Sequence, residues 1–479
     1  MCGLTALFSY GRNAPMVDSA ELEVITDSMV MRGPDGRGIW LSGDKRVGLG
    51  HRRLSIIDLS ERASQPMEVG GQSQVGSKYY ITYNGEIYNF RELREDLKST
   101  GVSFLTDSDT EVIARLYERY GSDMLSLLRG MFAFAIWDEN KRELFLARDP
   151  YGIKPLYYSD NGQVFRAASQ VKALIAGRNI ETSLDPAGHT GFFLFGSVPE
   201  PHTFYKNITA LPAGHFLRVR SDGKHVFKCY FNIKDKLQIA KETLKPINIQ
   251  RAIVESLEHH FVSDVPVGMF LSSGIDSASL VALASEFSGN DLQTITLGFK
   301  EYRGTLFDEV PFAESIARRY RATHSTVNIG YDDFDSSVES ILAAMDQPTI
   351  DGVNTYFVAK AAKAAGLKVA ISGLGGDELF GGYNTFKDVP SLVNKVSKIP
   401  GHQLIGKVIR TLFSSVAGRV GAPKIAGVIE LGGSFGGAYL LRRGLFMPWE
   451  LPKIIDPDLA REGLSILSPV EKLNESCES

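Results

Sequence analysis

The feature that most limits what this chain can fold into is a change of pattern near residue 200. Before it, short apolar runs crowd together at 3–10, 36–41, 47–56, 78–87, 131–138, 143–149, 155–160 and 163–169. Only three stretches, near 22–31, 90–97 and 111–120, carry helical spacing. Strands this dense, with few helices between them, predict an α+β domain of antiparallel sheets. Beyond residue 200, strand-like runs at 265–273, 292–299, 324–329 and 368–373 alternate with helical stretches near 277–286, 312–320, 334–344 and 356–365. That alternation predicts an α/β domain, a parallel sheet with helices on both faces. Residues 178–246, punctuated by Pro199-Glu200-Pro201 and Leu211-Pro212-Ala213-Gly214, read as a transition, with 234–245 polar and helix-poor. The predicted division is 2–200 and 201–479. Helices are expected near 404–416, 425–431 and 439–446, before a polar tail, 474–479, with no evident core to join.

Composition excludes several classes. A hydrophobic fraction of 43% and a charged fraction of 23% are those of an ordinary globular protein. A net charge of -4 with both signs interspersed offers no basic face to nucleic acid or anionic lipid. Cys2, Cys229 and Cys477 are odd in number and lack metal-ligand spacing, which argues against a disulfide framework and for a reducing compartment. No apolar run approaches ~18 residues and no signal-peptide pattern opens the chain. The expectation is a cytoplasmic protein with neither nucleic acid nor membrane as partner.

Within that frame, Met1-Cys2-Gly3 stands directly before the first strand. Loss of Met1, which a small second residue permits, would leave one residue carrying both a thiol and a free α-amine. An unperturbed α-amine has a pKa near ~7.7–8.0 and can act as base for its own side chain. A cysteine near a terminus can also be an accident of sequence. Asn84-Gly85-Glu86 lies inside a strand pattern. The amide and an adjacent backbone N–H would suit an oxyanion hole, whereas Asn-Gly is also the strongest hairpin dipeptide. Arg53, which the pattern puts at a strand edge, could clamp a carboxylate or simply face solvent. Asp109, ahead of a helix, could hold an ammonium group or cap the helix. Nucleophile, oxyanion hole, carboxylate clamp and ammonium clamp together describe a site for a free amino acid with a side-chain amide, and glutamine fits.

Two further loops end strand-like runs in the second half. Leu271-Ser272-Ser273-Gly274-Ile275-Asp276-Ser277 leads into a helix, so small residues, hydroxyls and a helix N-terminus meet where phosphates could bind. It could equally be an N-cap. Ser372 to Tyr383 contains five glycines and two acids, a poor core and a suitable floor for a nucleotide with its metal.

Cys2-Gly3, Arg32-Gly33-Pro34-Asp35, His51 to Ile56, Gln65-Pro66-Met67, Tyr83 to Asn89 and Leu146 to Tyr158 resemble, in that order, the class II glutamine amidotransferase domain of asparagine synthetases. The loop at 272–277 is similar to the pyrophosphate loop of ATP pyrophosphatases, written Ser-Gly-Gly-x-Asp-Ser, with Ser273 replacing the first glycine. The resemblance implies a four-layer N-terminal-nucleophile sandwich in the first domain and a glutamine-hydrolysing asparagine synthase as the whole. By it, Cys2 is the nucleophile, Asn84 and Gly85 form the oxyanion hole, and Arg53, Asn84, Glu86 and Asp109 hold glutamine. ATP would meet Leu271, Ser272, Ser273, Gly274, Asp276, Ser277, Leu297, Ser372 and Gly373, with Mg2+ on Asp276 and Asp377. Aspartate is the default acceptor; another carboxylate, or a glutamine-binding regulatory homologue with impaired synthesis, are the alternatives, and a homodimer stays open. Ammonia would have to pass internally between the two sites. Two departures stand out, Gln170 and Leu374, each where many relatives carry glutamate. Relatives also continue past the end of this sequence into a segment with a pyrophosphate-binding lysine and an Arg-x-Pro-Phe-Leu-Asp-like motif. With neither present, the expectation is glutamine hydrolysis with poor amide synthesis unless a partner supplies the cation.

Overall fold

A computed structural model describes residues 1–11, 13–72, 76–242, 248–288, 291–419 and 423–477. The chain forms two compact units. One comprises Met1–Thr182, Asn207–Asp346 and Tyr356–Ser372; the other comprises Ser183–Lys206, Gln347–Thr355 and Gly373–Ser479.

The first unit contains two six-stranded antiparallel sheets. In spatial order the first runs Thr209–Ala210, Tyr157–Asp160, Val164–Ala168, Gly3–Ser9, Val47–Arg53 and Gly36–Leu41. The second runs His225–Cys229, His215–Arg220, Glu143–Arg148, Gly130–Asp138, Lys78–Ile87 and Met67–Gly70. Alternation along the strands makes the layers, because successive side chains point to opposite faces. Leu4, Ala6 and Phe8 from the first sheet meet Ala133, Ala135 and Trp137 from the second in one buried cluster. The Phe8 and Trp137 rings lie 5.0 Å apart. The opposite face of the second sheet, with Ile81, Tyr83, Phe132, Phe134 and Ile136, packs on Leu93 and Leu97 of the helix Phe90–Ser99 and on Val112, Ile113 and Leu116 of Asp109–Tyr120. The outer face of the first sheet takes the helix Ser19–Asp27. There Thr26 reaches Thr5 at 3.2 Å, and a Cβ on Gly50 would fall 2.0 Å from the Thr26 hydroxyl. The layers are therefore helix, sheet, sheet, helix, as the resemblance implies.

A third sheet in this unit is parallel, in the order Thr323–Ile329, Gln293–Phe299, Val267–Phe270 and Val369–Ile371. Its two faces carry separate clusters: Met269, Leu271, Val281 and Ile316 on one side, Ile295, Ala361 and Leu367 on the other. Leu367 comes so close that a Cβ on Gly268 would lie 2.1 Å from it.

The second unit is helical. Helix Pro186–Phe195 packs on Pro457–Leu467 through Ala187, Leu194, Ala460 and Leu467, across a contact where a Cβ on Gly463 would meet the Thr190 hydroxyl at 2.1 Å. Helix Pro469–Cys477 packs on Phe435–Arg443, with Val470 and Leu473 against Leu440 and Leu441 and with Asn474 accepting from the Gly436 N–H at 2.6 Å. Among the described residues no helix is long and apolar enough to cross a membrane.

Several expectations are corrected. The last helix, Pro469–Cys477, reaches a core through Val470 and Leu473, which Gly436 permits by having no Cβ, while 475–477 stay exposed and 478–479 lie outside the described residues. Residues 234–245, read as helix-poor, carry the helix Ile233–Glu242, while 243–247 lie outside the described residues. The helix placed at 22–31 spans Ser19–Asp27, started by the Asp18 carboxylate accepting from the Ala20 N–H and followed by tight turns through Arg32. The helix placed at 334–344 is two, Tyr331–Asp335 and Val338–Ala344, parted where the Ser336 hydroxyl turns back to the Asp332 carbonyl. Where a change was read near residue 200, the antiparallel sheets take their last strands from His215–Arg220 and His225–Cys229. Asn84-Gly85 is not a hairpin turn: Lys78–Ile87 passes through it as one strand paired with Gly130–Asp138. Arg53 ends a strand that is flanked on both sides, rather than lying on a sheet edge.

Phe8 fills the middle of the inter-sheet layer, so Phe8→Ala is expected to destabilise the first unit by about 3–5 kcal/mol. Urea denaturation of the variant would measure it; a change below about 1 kcal/mol would mean the sheets do not close on this side chain.

Candidate active sites

The alternation that builds the inter-sheet core also delivers polar side chains to its end. Leu4 and Leu49 belong to that core, so Cys2 shares their face on one strand and His51 and Arg53 share it on the next. Tyr80 belongs to it from the second sheet, which puts Thr82, Asn84 and Glu86 on the facing surface. The His51 ring nitrogen Nδ1 meets the Thr82 hydroxyl at 3.0 Å, joining the two sheets just inside this cluster.

The Cys2 sulfur accepts from the Leu54 N–H at 3.3 Å, and the Cys2 carbonyl accepts from Arg32 Nε at 2.9 Å. Burial pushes the thiol up, opposed by the Leu54 hydrogen bond, the chain's α-amine, Lys154 and Arg32. Burial also lowers the α-amine to about 5, with Lys154 and Arg32 acting in the same direction and Cys2 opposing. That amine belongs to Met1, and at neutral pH it is uncharged. Gly33 lets the Arg32 turn lie against the neighbouring strand: a Cβ there would sit 2.2 Å from the Arg52 carbonyl.

Asn84 is fully buried, and neither end of its side-chain amide has a hydrogen-bond partner. Such a group costs roughly 1–3 kcal/mol unless something binds it. Gly85 is held against the neighbouring strand, where a Cβ would meet the Met131 carbonyl at 2.3 Å. The Arg53 guanidinium is fixed by carbonyls of its own loop, Ser60 at 2.9 Å, Ile57 at 3.4 Å and Asp58. Asp109 is the first residue of its helix, capped by Ser108, and its carboxylate accepts from the Tyr83 hydroxyl at 2.9 Å and the Ile87 N–H at 3.1 Å. Burial raises Asp109 to about 6 against the pull of those bonds. Glu86 is raised to about 7, by burial first, with Lys154 opposing and Asp109 adding to it. Two buried acids and a fixed guanidinium can receive an ammonium and a carboxylate respectively.

Sequence reasoning missed the residues that support this arrangement. Lys154 is buried and its ammonium is lowered by desolvation, with Glu86 and Cys2 raising it. Nothing in a loop lysine's spacing signals burial. His51 is held at about 3 by burial and by Arg53, so it stays neutral, and its Nε2 has no partner.

The second candidate site follows from topology. From Val267–Phe270 the chain moves outward to Gln293–Phe299 and Thr323–Ile329, then returns to Val369–Ile371 on the other side, so the sheet's switch point lies beside the first strand. Open parallel sheets bind ligands outside the carboxyl ends of strands at that point. There the Ser272 hydroxyl accepts from the Gly274 N–H at 3.1 Å and meets Ser277 at 2.9 Å, while Asp276 stands in the first turn of the helix Ile275–Ser288. Leu271 is buried with its carbonyl accepting from Thr296, and Leu297 sits on the adjacent strand. Ser273 is half-buried, and Ser372 follows the strand on the far side of the switch point. Gly373 begins the second unit's share of the chain, where Asp377 lies in the short helix Gly376–Phe380 and Leu374 is 90% exposed. Among the described residues no three acidic, histidine or cysteine side chains form a ready-made metal cluster. Asp276 is one oxygen donor at the switch point and Asp377 one in the other unit. A magnesium ion that retains waters and takes most of its ligands from phosphate oxygens needs no more than one or two carboxylates.

Glu86 gives a pH prediction with a definite sign. Its carboxyl is about 7 in the fold against an ordinary 4.5, so the folded state holds the proton more tightly. The resulting penalty is absent below about pH 4 and complete above about pH 7. Glu86→Gln should therefore gain stability relative to the parent as pH rises from 4 to 8, by up to roughly 3 kcal/mol. Denaturant titrations at both pH values test this, and parallel profiles for the two proteins would contradict it.

Two family models match the chain in succession: a glutamine amidotransferase domain over residues 1–231 and asparagine synthase over residues 248–446. The chain is 40% identical over 396 residues to asparagine synthetase [glutamine-hydrolyzing] 1 of Bacillus subtilis, covering 82% of this chain and 60% of that one. It is 35% identical over 438 residues to a putative asparagine synthetase [glutamine-hydrolyzing] of Mycobacterium bovis, covering 88% and 66%. A third relative, putative asparagine synthetase [glutamine-hydrolyzing] 2 of Methanocaldococcus jannaschii, is 32% identical over 408 residues, covering 80% and 76%. The chain thus spans about 60–66% of the length of the first two. On these matches, the chain belongs to the glutamine-hydrolysing asparagine synthetase family.

Proposed function

We propose that this chain hydrolyses glutamine at Cys2 and passes the ammonia to an ATP-activated aspartate. The observation that carries the reading is the buried Asn84 amide, unpartnered at both ends, on the inner surface of the second sheet that faces the one bearing Cys2. Such a group is costly in an empty fold and useful where an oxyanion forms.

Loss of Met1 makes the α-amine that of Cys2. The amine takes the thiol proton, and the sulfur attacks the side-chain amide carbon of glutamine. Asn84 Nδ2 and the Gly85 N–H receive the oxyanion. The C–N bond breaks as the amine returns its proton to the leaving nitrogen, giving ammonia and a thioester. Water then cleaves the thioester to glutamate and restores the thiol. Arg53 holds the α-carboxylate of glutamine; Asp109 and Glu86 face its α-ammonium. A reducing cytoplasm suits a free thiol in this role.

In the second reaction the aspartate side-chain carboxylate attacks the α-phosphorus of ATP and pyrophosphate leaves. Ammonia then displaces AMP to form the amide of asparagine. Leu271, Ser272, Ser273, Gly274, Asp276, Ser277, Leu297, Ser372 and Gly373 are the proposed ATP contacts, with the loop N–H groups and hydroxyls meeting phosphate oxygens. Asp276 and Asp377 are the proposed Mg2+ ligands, and the ion would supply charge neutralisation for pyrophosphate.

Three variants separate the steps. Cys2→Ala should abolish glutamine hydrolysis while leaving any ammonia-dependent synthesis intact, and glutaminase surviving in it would remove Cys2 from the mechanism. Asn84→Ala should lower the glutaminase kcat by about 10²–10³ with a much smaller change in KM; a pure KM effect would make Asn84 a binding group only. Asp276→Asn should suppress pyrophosphate release with aspartate, ATP and magnesium present and spare glutamine hydrolysis. Unchanged pyrophosphate release would dismiss Asp276 as a metal ligand.

A further inference from the structure

The loop that fixes Arg53 is itself fixed from outside the two antiparallel sheets. The Ile56 carbonyl accepts from the Asp264 N–H at 2.9 Å, and the Asp264 carboxylate accepts from the Asp58 N–H at 2.7 Å. Ile57 and Val262, next to these bonds, both pack on the outer core of the second antiparallel sheet. Three residues from the start of that loop, Lys368 pairs with Asp35 at 2.7 Å and reaches the Ser55 carbonyl at 3.4 Å. The same Asp35 oxygen accepts from the Ser55 N–H at 2.9 Å. Residues 55–58 are thus held at both ends by side chains contributed from the parallel-sheet region of the same unit.

The orientation of Arg53 depends on where those residues stand. Leu54 points its N–H at the Cys2 sulfur, and the Ile57, Asp58 and Ser60 carbonyls orient the Arg53 guanidinium. A guanidinium can bind a carboxylate through two bonds only if its plane is set in advance. Asp264 and Lys368 stand just before Val267–Phe270 and Val369–Ile371, the two strands flanking the switch point. The frame of the second candidate site therefore seats the binding loop of the first.

We propose that Asp264 and Lys368 are positioning residues for glutamine, acting through the 55–58 loop on Arg53. This rests on Arg53 being the carboxylate clamp. The loop keeps its own chain and its own carbonyls without them, so their removal frees the guanidinium to reorient and leaves the thiol and Asn84 in place. The effect belongs in KM rather than in kcat.

Steady-state glutamine hydrolysis by the full chain tests this with four variants. Asp264→Ala should raise the KM for glutamine about five- to ten-fold with kcat within about two-fold. Asp264→Asn, which keeps an acceptor oxygen for the Asp58 N–H, should recover a KM near the parent's. Lys368→Met should raise KM in the same direction, and it stands in if Asp264→Ala fails to fold. Arg53→Ala is the control: if it leaves KM unchanged, the clamp reading itself fails. If Arg53→Ala raises KM while Asp264→Ala and Lys368→Met do not, the clamp stands and the positioning role is overturned. A fall in kcat matching loss of folded protein by circular dichroism, without a rise in KM, would likewise overturn it, because that is the signature of a merely structural bond.

Discussion

The first unit depends on the closure of two antiparallel sheets over one apolar layer. Phe8, Trp137, Leu144, Leu146 and Phe165 exclude water from that layer, and burial of each large side chain is worth about 1.5–3 kcal/mol. The period of two that sends these residues inward also sends Cys2, Arg53, Asn84 and Glu86 inward along strands of the same two sheets. The sheets thereby carry their polar cluster into a desolvated end of the same layer. That is why the Met1 α-amine is pushed down, why Glu86 holds its proton near neutrality, and why an unpartnered amide can be kept at all. A one-residue slip of Lys78–Ile87 against Gly130–Asp138 would turn Asn84 and Glu86 to the outer face, so the register that builds the core also specifies the chemistry.

Strand alternation was legible along most of the first 170 residues, and the strand-helix alternation beyond 260 was equally plain. Cys2, Arg53, Asn84, Gly85 and Asp109 were singled out because their residue types suit the chemistry of an amide substrate. What escaped was whatever depends on a neighbour distant in sequence. Asn-Gly at 84–85 carries the local signature of a turn, and only pairing with Ala133 and Phe132 keeps it extended. Lys154 looks like an exposed loop lysine until the fold buries it beside Glu86. The polar stretch at 234–245 hides a helix, and the last helix finds its partner only because Gly436 lets it approach. Residues 183–206, read as part of a transition, supply a helix to the second unit.

The two candidate sites rest on different kinds of warrant. In the thiol site named hydrogen bonds fix the Arg53 guanidinium and the Asp109 carboxylate, while the buried Asn84 amide is left unpartnered. The parallel-sheet site is defined by topology and by a hydroxyl-rich turn, and phosphate must supply most of what would hold a metal there. The 55–58 loop connects them physically, since residues at the feet of two parallel strands hold the element that orients Arg53.

The central claim is that Cys2, with its own free amine, is the nucleophile for glutamine. Treatment of the purified protein with a glutamine analogue bearing a diazoketone in place of the amide, followed by peptide mass spectrometry, tests it most directly. The account predicts a single adduct per chain, on a peptide that begins at Cys2 with an unblocked α-amine, and protection by glutamine. Labelling at Cys229 or Cys477, or a fully active protein that retains Met1, would contradict it.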